Sequence, residues 1–263
     1  MTALLRHPVR VTGRLVWLMA EFTWAALNYV RQCGLSKNCP ESKRVLWLQH
    51  HSRRILAIFK TKIQTSGPVP SSGLLVSNHL SYVDILVISS ITPAMFVAKR
   101  EVKGWPVFGM FAKMGGTLFV DRERRTRVGQ TTNEIQSALD RGALVVLFPE
   151  GTSSDGKTVL PFKSSLLEPA TRQIHALFAS LVQYEIDDGD VSEEVCYWKD
   201  MTLVPHLINL LSKRTIRASV SFTQMREAST DRKLLARQLH SEILRLKEVP
   251  AFSNTSATSL FSE

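Results

Sequence analysis

Short apolar runs recur along the chain from residue 74 to residue 222, and each has the length and composition of a buried β-strand. The runs occupy residues 74–77, 95–98, 117–120, 144–148, 175–184 and 216–222. Helix-like patterns lie between several of them, most clearly at residues 127–139 and 161–172. Because strands that alternate with helices are typical of an α/β layer fold, we predict a largely parallel central sheet flanked by helices.

Three of these runs carry polar and charged residues at their carboxyl ends. The first is followed by residues 77–84, which read Ser-Asn-His-Leu-Ser-Tyr-Val-Asp. The third ends in Asp121 and Arg122, and the fourth stops at residues 148–152, Phe-Pro-Glu-Gly-Thr. Active sites of open α/β sheets gather where parallel strands end, so we expect the three segments to open onto one rim.

His79 and Asp84 stand a little over one helical turn apart if a helix begins just after His79. The carboxylate of Asp84 then reaches back to one imidazole nitrogen and fixes the tautomer. The other nitrogen stays free to take a proton from an alcohol. A second interpretation is that these residues are ordinary turn and helix-capping residues, and the segment by itself does not separate the two.

Taken together, the three segments resemble the glycerolipid acyltransferase family, whose best-known members are the lysophosphatidic acid acyltransferases. Asn78, His79 and Asp84 match the first block of that family. Residues 116–122 match its second block, a glycine and an aliphatic run ending in arginine, and residues 148–152 match its third. Order and spacing also agree, and the resemblance extends over residues 73–222.

The chain departs from the family pattern in two places. The apolar run after the third block, residues 174–181, lacks the proline that the fourth block usually contains. Residues 162–165 read Phe-Lys-Ser-Ser where family members commonly show a Phe-Lys-x-Gly turn. These departures leave the acyl-donor side and the exact acceptor open.

The resemblance implies a membrane-associated O-acyltransferase. A fatty acyl group moves from a thioester of acyl-carrier protein or coenzyme A to the free hydroxyl of a lysolipid, most simply 1-acylglycerol 3-phosphate, which gives phosphatidate. An alternative acceptor is another lysolipid, such as lyso-ornithine lipid. His79 is the expected general base and Asp84 its orienting partner. Since a thioester already leaves well, we expect no covalent enzyme intermediate, no bound cofactor and no metal.

Six residues are expected to contact substrate: Asn78, Arg122, Glu150, Gly151, Thr152 and Lys163. The guanidinium of Arg122 suits the phosphate of an anionic acceptor, although a plain surface arginine in a basic stretch is the alternative. Glycine at 151 lets the backbone approach a ligand, and Thr152 can donate a hydrogen bond. Glu150 is expected to orient Arg122 or the free hydroxyl of the acceptor. For Lys163, a solvated lysine is the alternative.

The formal charge of +10 indicates an anionic partner, and nucleic acid and anionic lipid both fit on charge alone. The N-terminal sequence favours lipid and argues against nucleic acid. Residues 15–30 are mostly apolar, broken by Glu21 and Asn28, and contain Trp17 and Trp24, which suit the lipid headgroup region. The run is marginal for a membrane span, so we expect a helix that lies in or dips into one leaflet.

Residues 42–62 predict a second, basic amphipathic helix, which fits either an anionic membrane surface or packing on the catalytic domain. We therefore expect residues 1–64 to attach the chain to the cytoplasmic face of a membrane. Residues 65–252 are expected to form the α/β domain and residues 253–263 a disordered tail. The scattered cysteines at 33, 39 and 196 are predicted to be free thiols. The oligomeric state stays open.

Two alternatives from other functional classes also fit part of the sequence. One is a lipid hydrolase, either metal-free or metal-assisted with His79, Asp84 and Glu150 as ligands, although the usual two-histidine zinc spacings are absent. The other is a non-catalytic lipid-binding or nucleic-acid-binding protein that uses only the basic surface. That hypothesis leaves the combination of the three segments unexplained.

Overall fold

A computed structural model describes residues 7–34, 39–121 and 125–249. Nine helices lie within these residues. They are α1 (Pro8–Cys33), α2 (Glu41–Ile58), α3 (Val83–Ile91), α4 (Phe108–Met114), α5 (Arg125–Asp140), α6 (Glu168–Thr171), α7 (Val191–Glu194), α8 (Leu203–Ser212) and α9 (Arg232–Lys247). The strands are β1 (Thr61–Ser66), β2 (Gly73–Ser77), β3 (Met95–Lys99), β4 (Leu118–Val120), β5 (Leu144–Leu147), β6 (Leu177–Ile186) and β7 (Ile216–Gln224). Two 3₁₀ turns lie at Arg100–Gly104 and Ser164–Leu166.

The strands form one sheet in the order β1-β7-β6-β2-β5-β3-β4. Every neighbouring pair runs parallel except β6 and β7, which are antiparallel. The prediction of a largely parallel sheet flanked by helices is therefore confirmed. Strands β2 and β5 are central and adjacent, so their carboxyl ends, which carry the first and third segments, meet at one edge of the sheet.

The two central strands divide the core into two halves. Leu75 and Val146 point into the half that is closed by α1, α2, α3 and α8. Their neighbours Leu74 and Val145 point into the other half, closed by α5 and α9. Side chains alternate between the faces of a strand, and both faces are covered here. This explains why both strands are buried along their whole length and read as continuous apolar runs.

Helices α1 and α2 pack against each other and against the α/β domain. The indole nitrogen of Trp47 on α2 donates to the carbonyl of Ala25 on α1 at 3.0 Å. The guanidinium of Arg14 donates to the carbonyl of Leu211 at the end of α8. Packing on the domain is one of the two interpretations of the second helix, and it is observed: Arg53 on α2 donates to the carbonyl of Ser90 on α3 at 2.8 Å. No helix in the described ranges has a stretch long and apolar enough to cross a bilayer.

The prediction of free thiols at Cys33 and Cys39 is wrong. These residues form a disulfide, with Cα atoms 5.0 Å apart, in the connection between α1 and α2. The pairing follows from packing the two helices side by side, which brings the end of one next to the start of the other. Cys196 is free, as predicted, and buried.

Two sequence expectations about secondary structure are also wrong. The second helix ends at Ile58 rather than residue 62, because Lys60 adopts a positive φ of 56° and the chain turns into β1. This edge strand escaped prediction because Ile63 is its one apolar residue, and it forms by pairing along β7. It crosses the predicted domain boundary at residue 64. Residues 161–172 form only the short helix α6 and a 3₁₀ turn.

Candidate active site

His79 lies in the short loop between β2 and α3, at the carboxyl edge of the sheet. Its Nδ1 atom is 2.8 Å from Oδ2 of Asp84, which sits in the first turn of α3. The side chain of Asp84 is fully buried, whereas the imidazole is 20 % exposed. The structure therefore brings the predicted pair together and leaves the imidazole accessible from one side.

The carboxylate of Asp84 accepts hydrogen bonds on both oxygens. Besides His79, Oδ2 accepts from the backbone N–H of Leu80 at 2.7 Å and of Ser81 at 3.0 Å. The other oxygen, Oδ1, accepts from the hydroxyl of Tyr184 at 2.7 Å. A buried carboxylate is costly unless it is paired and hydrogen-bonded, and here it is surrounded by donors. Asp84 therefore acts as an acceptor toward His79, so the imidazole carries its proton on Nδ1.

The imidazole of His79 is held flat against an aromatic ring. It stacks on Phe148, with ring centroids 4.2 Å apart and planes 18° apart. Within the described residues, no hydrogen bond is made to Nε2. This nitrogen is the unprotonated one in the assigned tautomer, so it is available to accept a proton from a ligand.

Glu150 braces the loop that carries His79. Its carboxylate is nearly fully buried; Oε1 accepts from the backbone N–H of His79 at 2.9 Å and Oε2 from that of Leu160 at 3.2 Å. Burial raises the pKa of Glu150 to about 7, against the opposing effect of the two backbone hydrogen bonds. Each oxygen thus accepts a hydrogen bond from the protein backbone, and contact of Glu150 with Arg122 or with the acceptor stays a prediction.

The two loops at the ends of β2 and β5 are joined further by backbone contacts. The N–H of Ser154 donates to the carbonyl of His79 at 3.0 Å. Gly151, whose φ of 75° requires a residue without a Cβ, is buried in the tight turn after Phe148. The N–H of Tyr197, in the segment between α7 and α8, donates to the carbonyl of Leu80 at 2.8 Å. The site is therefore held by several chain segments.

The other residues predicted to contact substrate differ in their exposure to solvent. The side-chain amide of Asn78 is buried and engaged with the backbone of Val182 on β6. Thr152 and Lys163 are exposed, and the backbone N–H of Lys163 donates to the carbonyl of Pro149 at 2.9 Å. Arg122 and the predicted tail at residues 253–263 lie outside the described residues. Contact of any of these residues with substrate stays a prediction.

Two further tyrosines near the site were not identified from the sequence. Tyr184 bonds to Asp84 from 100 positions further along the chain. The hydroxyl of Tyr82, next to the His79 loop, lies 3.0 Å from Nδ1 of His206, whose Nε2 lies 3.0 Å from the carbonyl of Cys196. Burial lowers the pKa of His206 to about 4, so it is neutral. No local sequence pattern marks either contact.

An apolar cavity of about 70 Å³ opens beside the start of α3. It lies between the N-terminal helices, α4 and α8, and Tyr82 and Leu86 form the wall nearest the active site. Other lining residues include Phe22, Phe108, Phe111 and Leu207. The cavity therefore joins the region of the histidine to the N-terminal helices by an apolar surface.

The metal-assisted hydrolase hypothesis requires ligand atoms of His79, Asp84 and Glu150 that are free to bind a metal ion. Both oxygens of Asp84 and both of Glu150 are occupied by donors from the protein. In residues 7–34, 39–121 and 125–249, no group of three or more His, Cys, Asp or Glu side chains is arranged to hold a metal ion.

Comparison with known proteins gives one consistent picture. The sequence pattern of the Acyltransferase family matches residues 59–184. The chain is 38 % identical over 216 residues to the lyso-ornithine lipid O-acyltransferase of Brucella abortus, covering 76 % of this chain and 81 % of that one. It is 30 % identical over 215 residues to the 1-acyl-sn-glycerol-3-phosphate acyltransferase of Neisseria meningitidis, covering 80 % and 84 %.

The fold is similar to the crystal structure of the 1-acyl-sn-glycerophosphate (LPA) acyltransferase PlsC from Thermotoga maritima. The TM-score is 0.63, and the match covers 95 % of this chain and all of the other. Sequence identity to that protein is 15 %, so the likeness bears on the fold.

Proposed function

This chain belongs to the Acyltransferase family, and from that premise we propose that it transfers a fatty acyl group from an acyl thioester to the free hydroxyl of a lysolipid, with His79 as general base. The observation that carries this proposal is the geometry of the dyad. Asp84 accepts from four donors and fixes Nδ1 of His79, while Nε2 is unpaired within the described residues and the imidazole is 20 % exposed.

His79 takes up one proton during acyl transfer and gives it back at the end of the reaction. Nε2 of His79 takes the proton of the acceptor hydroxyl as its oxygen bonds to the carbonyl carbon of the thioester. The carbon–sulfur bond then breaks, and the leaving thiolate takes the proton from the imidazolium, which restores neutral His79. Asp84 stabilises the imidazolium between the two steps. The thioester of coenzyme A or acyl-carrier protein is consumed as co-substrate.

For the acceptor we propose lyso-ornithine lipid first and 1-acylglycerol 3-phosphate second. The Brucella relative named for the first acceptor and the Neisseria relative named for the second both match most of this chain. The Brucella relative is the more similar of the two, at 38 % against 30 % identity, and this supports placing lyso-ornithine lipid first. Lys163 and Thr152, which are exposed beside the Glu150 turn, are the proposed contacts to the acceptor headgroup.

We propose further that α1 attaches the protein to a membrane surface. Its outward face carries exposed apolar residues along its whole length: Val9, Val16, Trp17, Met19, Trp24, Leu27 and Val30. The one charged residue between Arg14 and Arg31 is Glu21, which points inward to α2. An exposed apolar helix face with terminal arginines suits a helix lying in the headgroup region of an anionic leaflet. Placement on the cytoplasmic face stays a prediction.

The apolar cavity between the N-terminal helices and α3 is the proposed position of the acyl chain near the active site. It begins at Tyr82, three residues from the histidine, and its lining is apolar over most of its surface. Burial of acyl methylene groups there would supply binding free energy of about 0.8 kcal/mol for each group.

The test is radiolabelled acyl transfer by purified protein with both thioester donors and a panel of lysolipids that includes both proposed acceptors. We expect transfer that is lost in His79→Ala. A matched control is His175→Ala, because His175 is also paired with a carboxylate, Asp140, but lies before β6 at the opposite edge of the sheet. Folded protein that transfers to no acceptor, or equal loss in both variants, would overturn the proposal.

A further inference from the structure

Asp84 makes two kinds of contact, and one comes from a distant part of the chain. Three donors reach its Oδ2 atom, and all belong to residues 79–81, within five positions of Asp84. The donor to Oδ1, the hydroxyl of Tyr184, belongs to β6. The local donors include two backbone N–H groups that any residue would supply, whereas the contact from β6 requires a tyrosine.

Strand β6 continues beyond the end of β2, and this extension reaches the site. The pairing of β2 with β6 ends at Ser77 and Ser180, while β6 still pairs with β7 as far as Ile186. On the side left open by β2, the amide of Asn78 donates to the carbonyl of Val182 at 3.0 Å and accepts from its N–H at 2.7 Å. The amide thus replaces a missing strand, because it has both a donor and an acceptor.

The His79 loop is therefore fastened to β6 at two points. One is the amide pairing of Asn78 with Val182, and the other is the bond from Tyr184 to Asp84. Both points lie on residues that flank the histidine in the sequence. Fixing both ends of the loop to one strand sets the position of the imidazole between them.

We infer that Tyr184 is a positioning residue for acyl transfer: its hydroxyl fixes the orientation of the Asp84 carboxylate and draws charge away from the oxygen that faces His79. This inference rests on the proposed function. Tyr184 is buried, and burial raises its pKa well above the usual range, so it remains a neutral donor. It touches no reacting atom and acts only through Asp84.

Removal of the hydroxyl changes two properties of the dyad. Oδ1 loses its only side-chain donor within the described residues, so the carboxylate is free to rotate away from the imidazole. Negative charge also concentrates on the oxygen near His79, which favours the protonated imidazole. A protonated imidazole cannot accept the hydroxyl proton, so activity should require a higher pH.

Two other titratable groups near the dyad, Glu150 and Cys196, have raised pKa values. Glu150, with a pKa of about 7, faces the backbone of His79 from the turn after β5. The thiol of Cys196, from the segment after α7, is near Asp84, and burial raises its pKa to about 12. Because Glu150 titrates in the same range as an imidazole, the comparison of pH profiles is made in Glu150→Gln as well as in the wild-type background.

The experiment compares Tyr184→Phe with Thr92→Val, which also removes a hydrogen-bonded buried hydroxyl, but one that donates to the carbonyl of Pro70 at 2.8 Å. For Tyr184→Phe we expect kcat to fall roughly tenfold or more, with little change in the acceptor KM. The acidic limb of its pH profile should move upward by about half a pH unit or more in both backgrounds. Thr92→Val should keep the wild-type profile.

Two further measurements distinguish an effect of Tyr184 through Asp84 from a general loss of structure. In Asp84→Asn, adding Tyr184→Phe should cause no further loss of kcat, because the tyrosine acts through the carboxylate. NMR titration of the His79 imidazole should show a higher midpoint in Tyr184→Phe, whether or not an acceptor has been found. An unchanged NMR midpoint and pH profile in Tyr184→Phe, or equal losses of kcat in Tyr184→Phe and Thr92→Val, would overturn the inference. Absence of transfer by wild-type protein would instead overturn the proposed function.

Discussion

Two histidine–carboxylate pairs in this molecule have similar local geometry and different surroundings. In the site, Nδ1 of His79 lies 2.8 Å from Asp84; between α1 and α2, Nδ1 of His51 lies 2.6 Å from Glu21. The second nitrogen of His51 faces the side-chain oxygen of Asn28, and the imidazole is fully enclosed. The second nitrogen of His79 makes no hydrogen bond within the described part of the chain, and its imidazole is partly exposed. The comparison shows that the environment of the second nitrogen, rather than the pair itself, marks the site.

The carboxylates of the two pairs also differ. Asp84 is bound by backbone N–H groups and a tyrosine hydroxyl, all neutral donors. Glu21 is bound by His51 and by the guanidinium of Arg54 at 2.6 Å. The charge of Asp84 therefore acts on one imidazole, that of His79. The charge of Glu21 instead pairs with two residues of α2 and so joins α1 to α2. We therefore expect the first pair to govern rate and the second to govern stability.

The largest expected effect is the contrast between isosteric variants that neutralise each carboxylate. Asp84→Asn should lower kcat by about 10²- to 10⁴-fold, because the imidazole loses its orienting acceptor. Glu21→Gln should leave kcat per folded molecule within about threefold, since it lies outside the site. Initial rates at saturating substrate, normalised to the folded fraction, measure both. Equal losses would show that the comparison is mistaken.

A smaller effect is expected on stability. Glu21→Ala should lower the free energy of unfolding by about 2 to 3 kcal/mol, because His51 and Arg54 lose a buried partner. The control is Glu41→Ala, which removes the solvent-exposed pair with Arg141 and should cost less than about 1 kcal/mol. Urea denaturation in the same detergent or lipid measures both. A larger loss for the exposed pair would contradict the prediction.

The effect that is spread over the widest range of conditions is on the pH dependence of stability, where Glu150 and His51 should act with opposite signs. Glu150 keeps its proton in the folded state up to about pH 7, whereas its ordinary pKa is 4.5. Its contribution is therefore fully present below about pH 4.5 and is lost as the pH rises to 7, by up to about 3 kcal/mol. Glu150→Gln should remove this loss in denaturation curves recorded between pH 5 and 8.

For His51 the sign is reversed. Burial lowers the pKa of His51 below its ordinary 6.5, in spite of Glu21. The unfolded chain then binds a proton that the folded chain does not, so stability falls as the pH drops below about 6.5. His51→Gln should remove this acid destabilisation and leave unchanged the loss of stability that Glu150 causes as the pH rises. The same change in both variants would mean that the two groups titrate together.

The sequence by itself determined the elements that depend on local patterns. β2 and β5 read as continuous apolar runs because both faces of each strand are covered, and the start of α3 after His79 placed Asp84 one turn away. Residues next to each other in sequence are held together by the chain, so spacing alone predicted their contact. The parallel sheet predicted from alternating strands and helices also placed the loops that end these strands at one edge, whereas the adjacency of β2 and β5 came from the structure.

Only the tertiary structure decided the contacts made across long separations. The edge strand β1 has a single buried apolar residue and forms because β7 lies beside it. The bond from Tyr184 to Asp84, the pairing of Asn78 with Val182 and the engagement of Glu150 with backbone N–H groups depend on where β6 and the turn after β5 end. These contacts satisfy polar groups that folding buries, and which groups are buried is known only once the strands are packed.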